Sequence, residues 1–243
     1  DAVEKVALFE SMMKGETFIF FDVEDFELII EYYLELDFKK KAKKALEIAL
    51  EQYPIDLALT LIKIEFLNSS QRFDESLKTL NNLNKFHPNN IDVLLGLGRL
   101  YSLMENKPYA IKYLNRVQSL ISLDSSYNDY LHDLSYEYTQ IGKFESAIKV
   151  LKQILTFKPN DETVMMELGV AYHESGKFQE SVNYFKDVID DNPYSHIAWF
   201  NLATIYNVNE DWKEAIFAYE MCLVINEKFT AAHYGKANSF IHL

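Results

Sequence analysis

The sequence predicts an all-α fold: an α-solenoid of antiparallel helix hairpins that repeat about every 34 residues. Three observations carry that prediction. Pro54, Pro88, Pro159 and Pro193 end helices on a schedule, the first pair and the last pair each being 34 residues apart. Counting back from each proline, the eleventh position of successive segments holds Tyr33, Leu67, Tyr101, Tyr138, Tyr172 and Tyr206. The twentieth holds a small residue (Ala42, Ser76, Ala110, Ala147, Ser181, Ala215), followed four residues later by Leu46, Leu80, Leu114, Leu151, Phe185 and Tyr219, so one helix face stays apolar throughout.

The elements follow in order. Ala2, Val6, Phe9 and Met13 recur at helical spacing, which predicts a capping helix over the first 14 residues, ended by Gly15. Thr17 to Phe21 reads as a short extended link, and Asp22 as the N-cap of the next helix. Six hairpins are expected over 23–56, 57–90, 91–127, 128–161, 162–195 and 196–229, with residues 1–22 as cap and linker and 230–243 as the first helix of a partial seventh. The third segment is three residues too long, with the surplus near Ser122 to Tyr127, in its second helix or the loop after it. Pro108 falls in the first turn of a helix, where a missing N–H costs nothing. In the second segment Lys63 takes an apolar position, so that helix is expected to be rotated with the lysine reaching outward. At the end, Ala232, Ala237 and Phe240 form an apolar stripe with no following helix to cover it. That stripe predicts a native protein continuing past Leu243 and offers a surface for self-association.

Composition narrows the function. With 24 basic and 37 acidic residues the formal charge is −13, which repels nucleic acid and favours a basic partner. The one cysteine, Cys222, excludes an internal disulfide and any CxxC site, fitting a reducing, cytoplasmic setting. No apolar run reaches the roughly 20 residues of a membrane helix. The lysine run Lys39, Lys40, Lys41, Lys43 and Lys44 reads as a solvated outer face, since no aromatic interleaving supports nucleic-acid stacking.

At these positions the sequence resembles the tetratricopeptide-repeat family, which has large apolar residues at repeat positions 4, 7, 11 and 24, small ones at 8, 20 and 27, and proline at 32. Gly98 and Gly169 occupy the eighth position, with Ser135 and Ala203 as near equivalents, whereas Ile30 and Ile64 depart from it in the first two segments. Gly142-Lys143-Phe144 and Gly176-Lys177-Phe178 mark turns between paired helices. The resemblance implies a right-handed superhelix whose concave groove is lined by the first helix of each hairpin. It places Glu27, Glu31 and Glu65 there near the N-terminus, then Asp133, Tyr136 and Met166, and towards the C-terminus Phe200, Asn201, Asn207, Tyr234 and Asn238. The acidic end would attract a basic segment. The aromatic and asparagine end would bury apolar side chains and hydrogen-bond a peptide backbone. Arg99 is the one basic residue at these positions in the six full segments, which argues against the carboxylate-gripping subclass of the family.

No HExxH, nucleophile elbow or phosphate-cradling glycine loop accompanies the six histidines, and His132 and His173, though both on the groove side, fall at different heights. No enzyme, metal or cofactor is expected. The sequence reads as a protein-interaction scaffold that binds a protein or peptide, with a regulatory or targeting arm of a larger protein as the alternative.

Overall fold

The computed structural model describes residues 2–16, 18–121 and 125–243. Among them are fourteen α-helices and no strand. They fall into two compact units, residues 1–106 and 107–243.

The first unit holds α1 (Ala2–Met13), α2 (Val23–Glu35), α3 (Lys39–Gln52), α4 (Leu57–Ser69), α5 (Phe73–Phe86) and α6 (Ile91–Leu103). Each helix packs on the next, and α4 also meets α6. The capping helix forms, and it closes in a Schellman motif: the N–H of Glu16 reaches Ser11 O, that of Gly15 reaches Met12 O, and Gly15 takes φ +79°. Phe9 of α1 meets Phe21 and Phe26 edge-on at 5.9 and 6.3 Å, so the cap is anchored by aromatic packing. Phe21 is further held through its carbonyl, which accepts from Gln52 Nε2 and Tyr53 Oη at 3.0 Å each. Residues 18–21 lack regular structure, and Thr17 of the expected link lies outside the described residues. Asp22 caps α2 in a capping box with Asp25.

Ile30 and Ile64 are buried, and Lys63 is exposed as the rotated-helix reading requires.

The second unit holds α7 (Lys107–Leu120), α8 (Asn128–Gln140), α9 (Phe144–Phe157), α10 (Glu162–Ser175), α11 (Phe178–Asp191), α12 (His196–Val208), α13 (Trp212–Ile225) and α14 (Thr230–His242), with a 3-10 turn at Ser125–Tyr127. Neighbours in sequence pack together, and α12 also contacts both α10 and α14. At 14 residues α7 is no longer than α3 or α5. The three surplus residues therefore sit in the connection after α7, part of which, 122–124, lies outside the described residues. Ala232 of the C-terminal stripe is buried, unlike the expectation of an open stripe, while Ala237 and Phe240 are exposed.

One turn recurs in both units. Asp37, Gln71, Glu105, Gly142, Gly176 and Glu210 each follow a helix with φ between +56° and +74°. In the first unit, for example, the N–H of Phe38 reaches back to Tyr33 O at 2.7 Å and that of Asp37 to Leu34 O at 3.0 Å. Four of the six residues are not glycine, so the turn does not depend on glycine's freedom at this position. The other connection begins with a residue outside the helical region before proline, as at Tyr53 and His87. The small side chains at 42, 76, 110, 147, 181 and 215 are all buried, as are the large ones four residues on. A missing or short side chain there lets helices approach, and the next turn supplies the apolar anchor.

Candidate functional site

In the first unit Glu24, Glu31 and Asp56 all lie within electrostatic reach of Glu27. The carboxyl of Glu27 is raised above its ordinary range, first by burial and then by the charges of Asp56, Glu24 and Glu31. Asp56 also caps α4, accepting from the N–H of Leu59 at 3.0 Å.

Glu65 is placed elsewhere. The end of α2, the start of α3 and the end of α4 meet at the opposite end of the unit, where Glu65 lines a cavity of about 450 Å³ with Lys39, Lys40, Lys43, Leu34 and Phe66. The lysines of the run on α3 are all exposed.

In the second unit the expected residues divide by burial. Asp133, Tyr136, Tyr234 and Asn238 are exposed, the two tyrosines at 58% and 75%. Met166 is half-buried. Val170, which sequence reasoning passed over, is 53% exposed and stands 34 residues after Tyr136, at the same register position. That spacing was the signal that could have found it.

The others are engaged within the molecule. Phe200 is half-buried, its ring 5.0 Å from that of Phe229 and 6.0 Å from that of Tyr219. Asn207 Oδ1 accepts a hydrogen bond from Ser239 Oγ at 2.7 Å, joining α12 to α14. Asn201 is buried, and its amide donates to Met165 O at 2.8 Å, joining α12 to α10. Room for it exists because position 169 is glycine: a Cβ there would lie 2.3 Å from Asn201 Oδ1. Gly235 plays the same part against Tyr219, whose ring carbon would be 2.3 Å from an added Cβ.

A second ladder links hairpins through the tyrosines. Tyr33 Oη donates to Glu10 Oε1 at 3.2 Å, and Tyr138 Oη reaches Asn115 Oδ1 at 2.8 Å and Gln118 Oε1 at 3.1 Å. At the equivalent place, Lys152 lies 5.3 Å from the Tyr172 ring centroid and 4.3 Å from that of Tyr184.

The Cys222 thiol is buried, which pushes it up to about 12 and keeps it protonated at neutral pH. Among the described residues no cluster of three or more His, Cys, Asp or Glu could hold a metal. No helix among them is long and apolar enough to cross a membrane.

The architecture and its inter-helix contacts define a helical-repeat protein of antiparallel hairpins. Residues 129–161 and 166–221 match two family models, each described as a tetratricopeptide repeat. Over those residues the chain carries tetratricopeptide repeats, a repeat class that supports a protein-interaction scaffold in general. The fold is similar to a tetratricopeptide repeat protein from Parabacteroides merdae ATCC 43184, with a TM-score of 0.52, 17% identity and 90% of each chain covered. It is similar also to YrrB, described as a TPR protein with an unusual peptide-binding site, with a TM-score of 0.50, 16% identity, and 79% of this chain and 98% of that one covered. Comparison of the sequence with curated proteins finds no match.

Proposed function

We propose that the chain is a non-catalytic scaffold of six repeats, over 23–56, 57–90, 91–127, 128–161, 162–195 and 196–229, with residues 1–22 as a cap and 230–243 as the first helix of a seventh. It binds a protein or peptide segment through the first helices of its hairpins in a cytoplasmic setting. The observation that carries this reading is the exposure of Tyr136, Val170 and Tyr234 on α8, α10 and α14 of one unit. Tyr136 and Val170 match in register, and Tyr234 lies one turn before the matching position on α14, Asn238. Such large apolar side chains left in water are what a partner's apolar side chains would cover, and tyrosine adds a polar tip at small entropic cost. Asn238, exposed beside them in register, supplies an amide that can both donate to and accept from a peptide backbone. Asn201 and Asn207 support the surface from beneath instead of touching the ligand.

In the first unit the Glu24, Glu27, Glu31 and Asp56 group favours a lysine or arginine of the partner, because Glu27 is raised first by burial and then by its like-charged neighbours, and a cation offsets the second. The test is titration of a peptide library against wild type, a Tyr136→Ala plus Tyr234→Ala variant and a Glu27→Gln plus Glu31→Gln variant. Loss of apolar-containing binders in the first variant and of basic binders in the second is expected. Unchanged affinity for every binder in both would refute the proposal.

A further inference from the structure

A cavity of about 320 Å³ lies between α1, α2 and α3, away from every residue assigned to partner binding above. Its exposed apolar surface comes from Met13, 45% exposed, and from the aliphatic stems of the lysines, over the nearly fully buried Phe9 and Tyr33. Its charged side chains are Lys14, Lys41, Lys44 and Glu10. Three ammonium groups against one carboxylate leave a local positive surplus, in a chain whose net charge is −13.

The carboxylate already present shows what the cations accept. Glu10 Oε1 takes hydrogen bonds from Lys41 Nζ at 2.6 Å and Tyr33 Oη at 3.2 Å, and its carboxyl is lowered from the ordinary range, mainly by the Lys41 bond. Lys41 and Glu10 are both about half exposed, so their pairing is held weakly and Lys41 can share its donors with a second carboxylate. Lys44 has only a 3.9 Å contact with Glu47, too long for a strong pair. The volume sits at the low end for ligand pockets, which suits one short chain and not a folded segment. The cavity also needs the capping helix, which supplies Phe9, Glu10, Met13 and Lys14 and has no counterpart after the later hairpins.

We infer that this cavity binds a medium-chain aliphatic carboxylate, its tail on Met13 and the lysine stems above Phe9 and Tyr33 and its head group among Lys14, Lys41 and Lys44. The apolar floor excludes a bare inorganic anion as the best fit, and the cationic rim excludes an alkyl cation.

The intact chain is titrated with octanoate, octanol and octyltrimethylammonium, each below its micelle concentration, and followed by amide chemical shifts. Octanoate is expected to move resonances of Phe9, Met13, Tyr33 and Lys41, with octanol and the alkyl cation binding at least about tenfold more weakly. Lys14→Gln plus Lys44→Gln, both exposed sites, should weaken octanoate by about tenfold or more while leaving octanol unchanged. Met13→Asp should abolish binding of both. The inference falls if octanoate leaves those resonances in place, if octanol matches it, or if the lysine variant binds octanoate like wild type. Because the probe and variants avoid the peptide surface, failure here is separable from failure of the scaffold reading.

Discussion

Replacing Gly169 by alanine should destabilise the second unit, although alanine is the better helix former. The added Cβ would stand 2.3 Å from Asn201 Oδ1 and 2.7 Å from Asn201 Cγ, closer than carbon atoms approach in proteins. The asparagine must swing away, and its amide then loses the 2.8 Å bond to Met165 O in a buried place. An unmet buried amide costs about 1–3 kcal/mol, and residual overpacking about 1–3 kcal/mol. Alanine returns about 1 kcal/mol of helix propensity. The net expectation is a loss of about 3 kcal/mol.

The sign should reverse when the obstacle is removed. In an Asn201→Ala background the new methyl meets no amide, so Gly169→Ala should be neutral or stabilising by up to about 1 kcal/mol. Urea unfolding followed by tryptophan fluorescence measures this directly, because Trp199 and Trp212 both lie in the second unit. A coupling energy of at least about 2 kcal/mol between the two sites is expected from contact of this kind. A single Gly169→Ala variant within about 0.5 kcal/mol of wild type, or additivity of the two changes, would refute the close-packing argument.

Three further outcomes follow from the same contacts. Tyr138→Phe removes a hydroxyl bonded to Asn115 and Gln118 and should cost about 1–2 kcal/mol in urea unfolding, whereas Tyr172→Phe removes a buried hydroxyl with no hydrogen-bond partner and should be neutral or stabilising. Glu105→Gly relieves a left-handed backbone at φ +56° and should raise stability by about 0.5–1 kcal/mol after the entropy glycine adds to the unfolded chain, read as a higher melting temperature. Glu27→Gln should stabilise the first unit at neutral pH and lose that advantage in acid. The folded carboxyl is raised above 4.5, so the folded state binds the proton more tightly, and wild-type stability falls as pH rises through that window. Thermal unfolding of the two proteins from pH 4 to pH 7, showing a constant difference, would contradict this.

The fold was legible because its framework is written in side-chain size. Ala147 and Leu151 in one helix, or Ser181 and Phe185 in another, specify at a glance which face is buried and how near the next helix can come. Turn geometry was only half legible. Gly142 and Gly176 announce a positive φ, but Asp37, Gln71, Glu105 and Glu210 adopt the same conformation with nothing local to signal it. Single-residue chemistry carries no trace of that.

The candidate site was less legible, because helix register places a residue on the inner side of a hairpin but does not say what stands opposite it. Asn201 and Asn238 are both asparagines on first helices, yet one is buried under a neighbour and the other exposed. What separates them is Gly169, a residue 32 positions away from Asn201: its missing side chain opens the space into which the amide folds. A polar groove residue is therefore best judged together with the side chain one repeat earlier. Where that neighbour is glycine, the polar group is drawn into the packing between helices and spends its hydrogen bonds there. Tyr136 and Val170, large and themselves exposed, are the residues on which binding should depend.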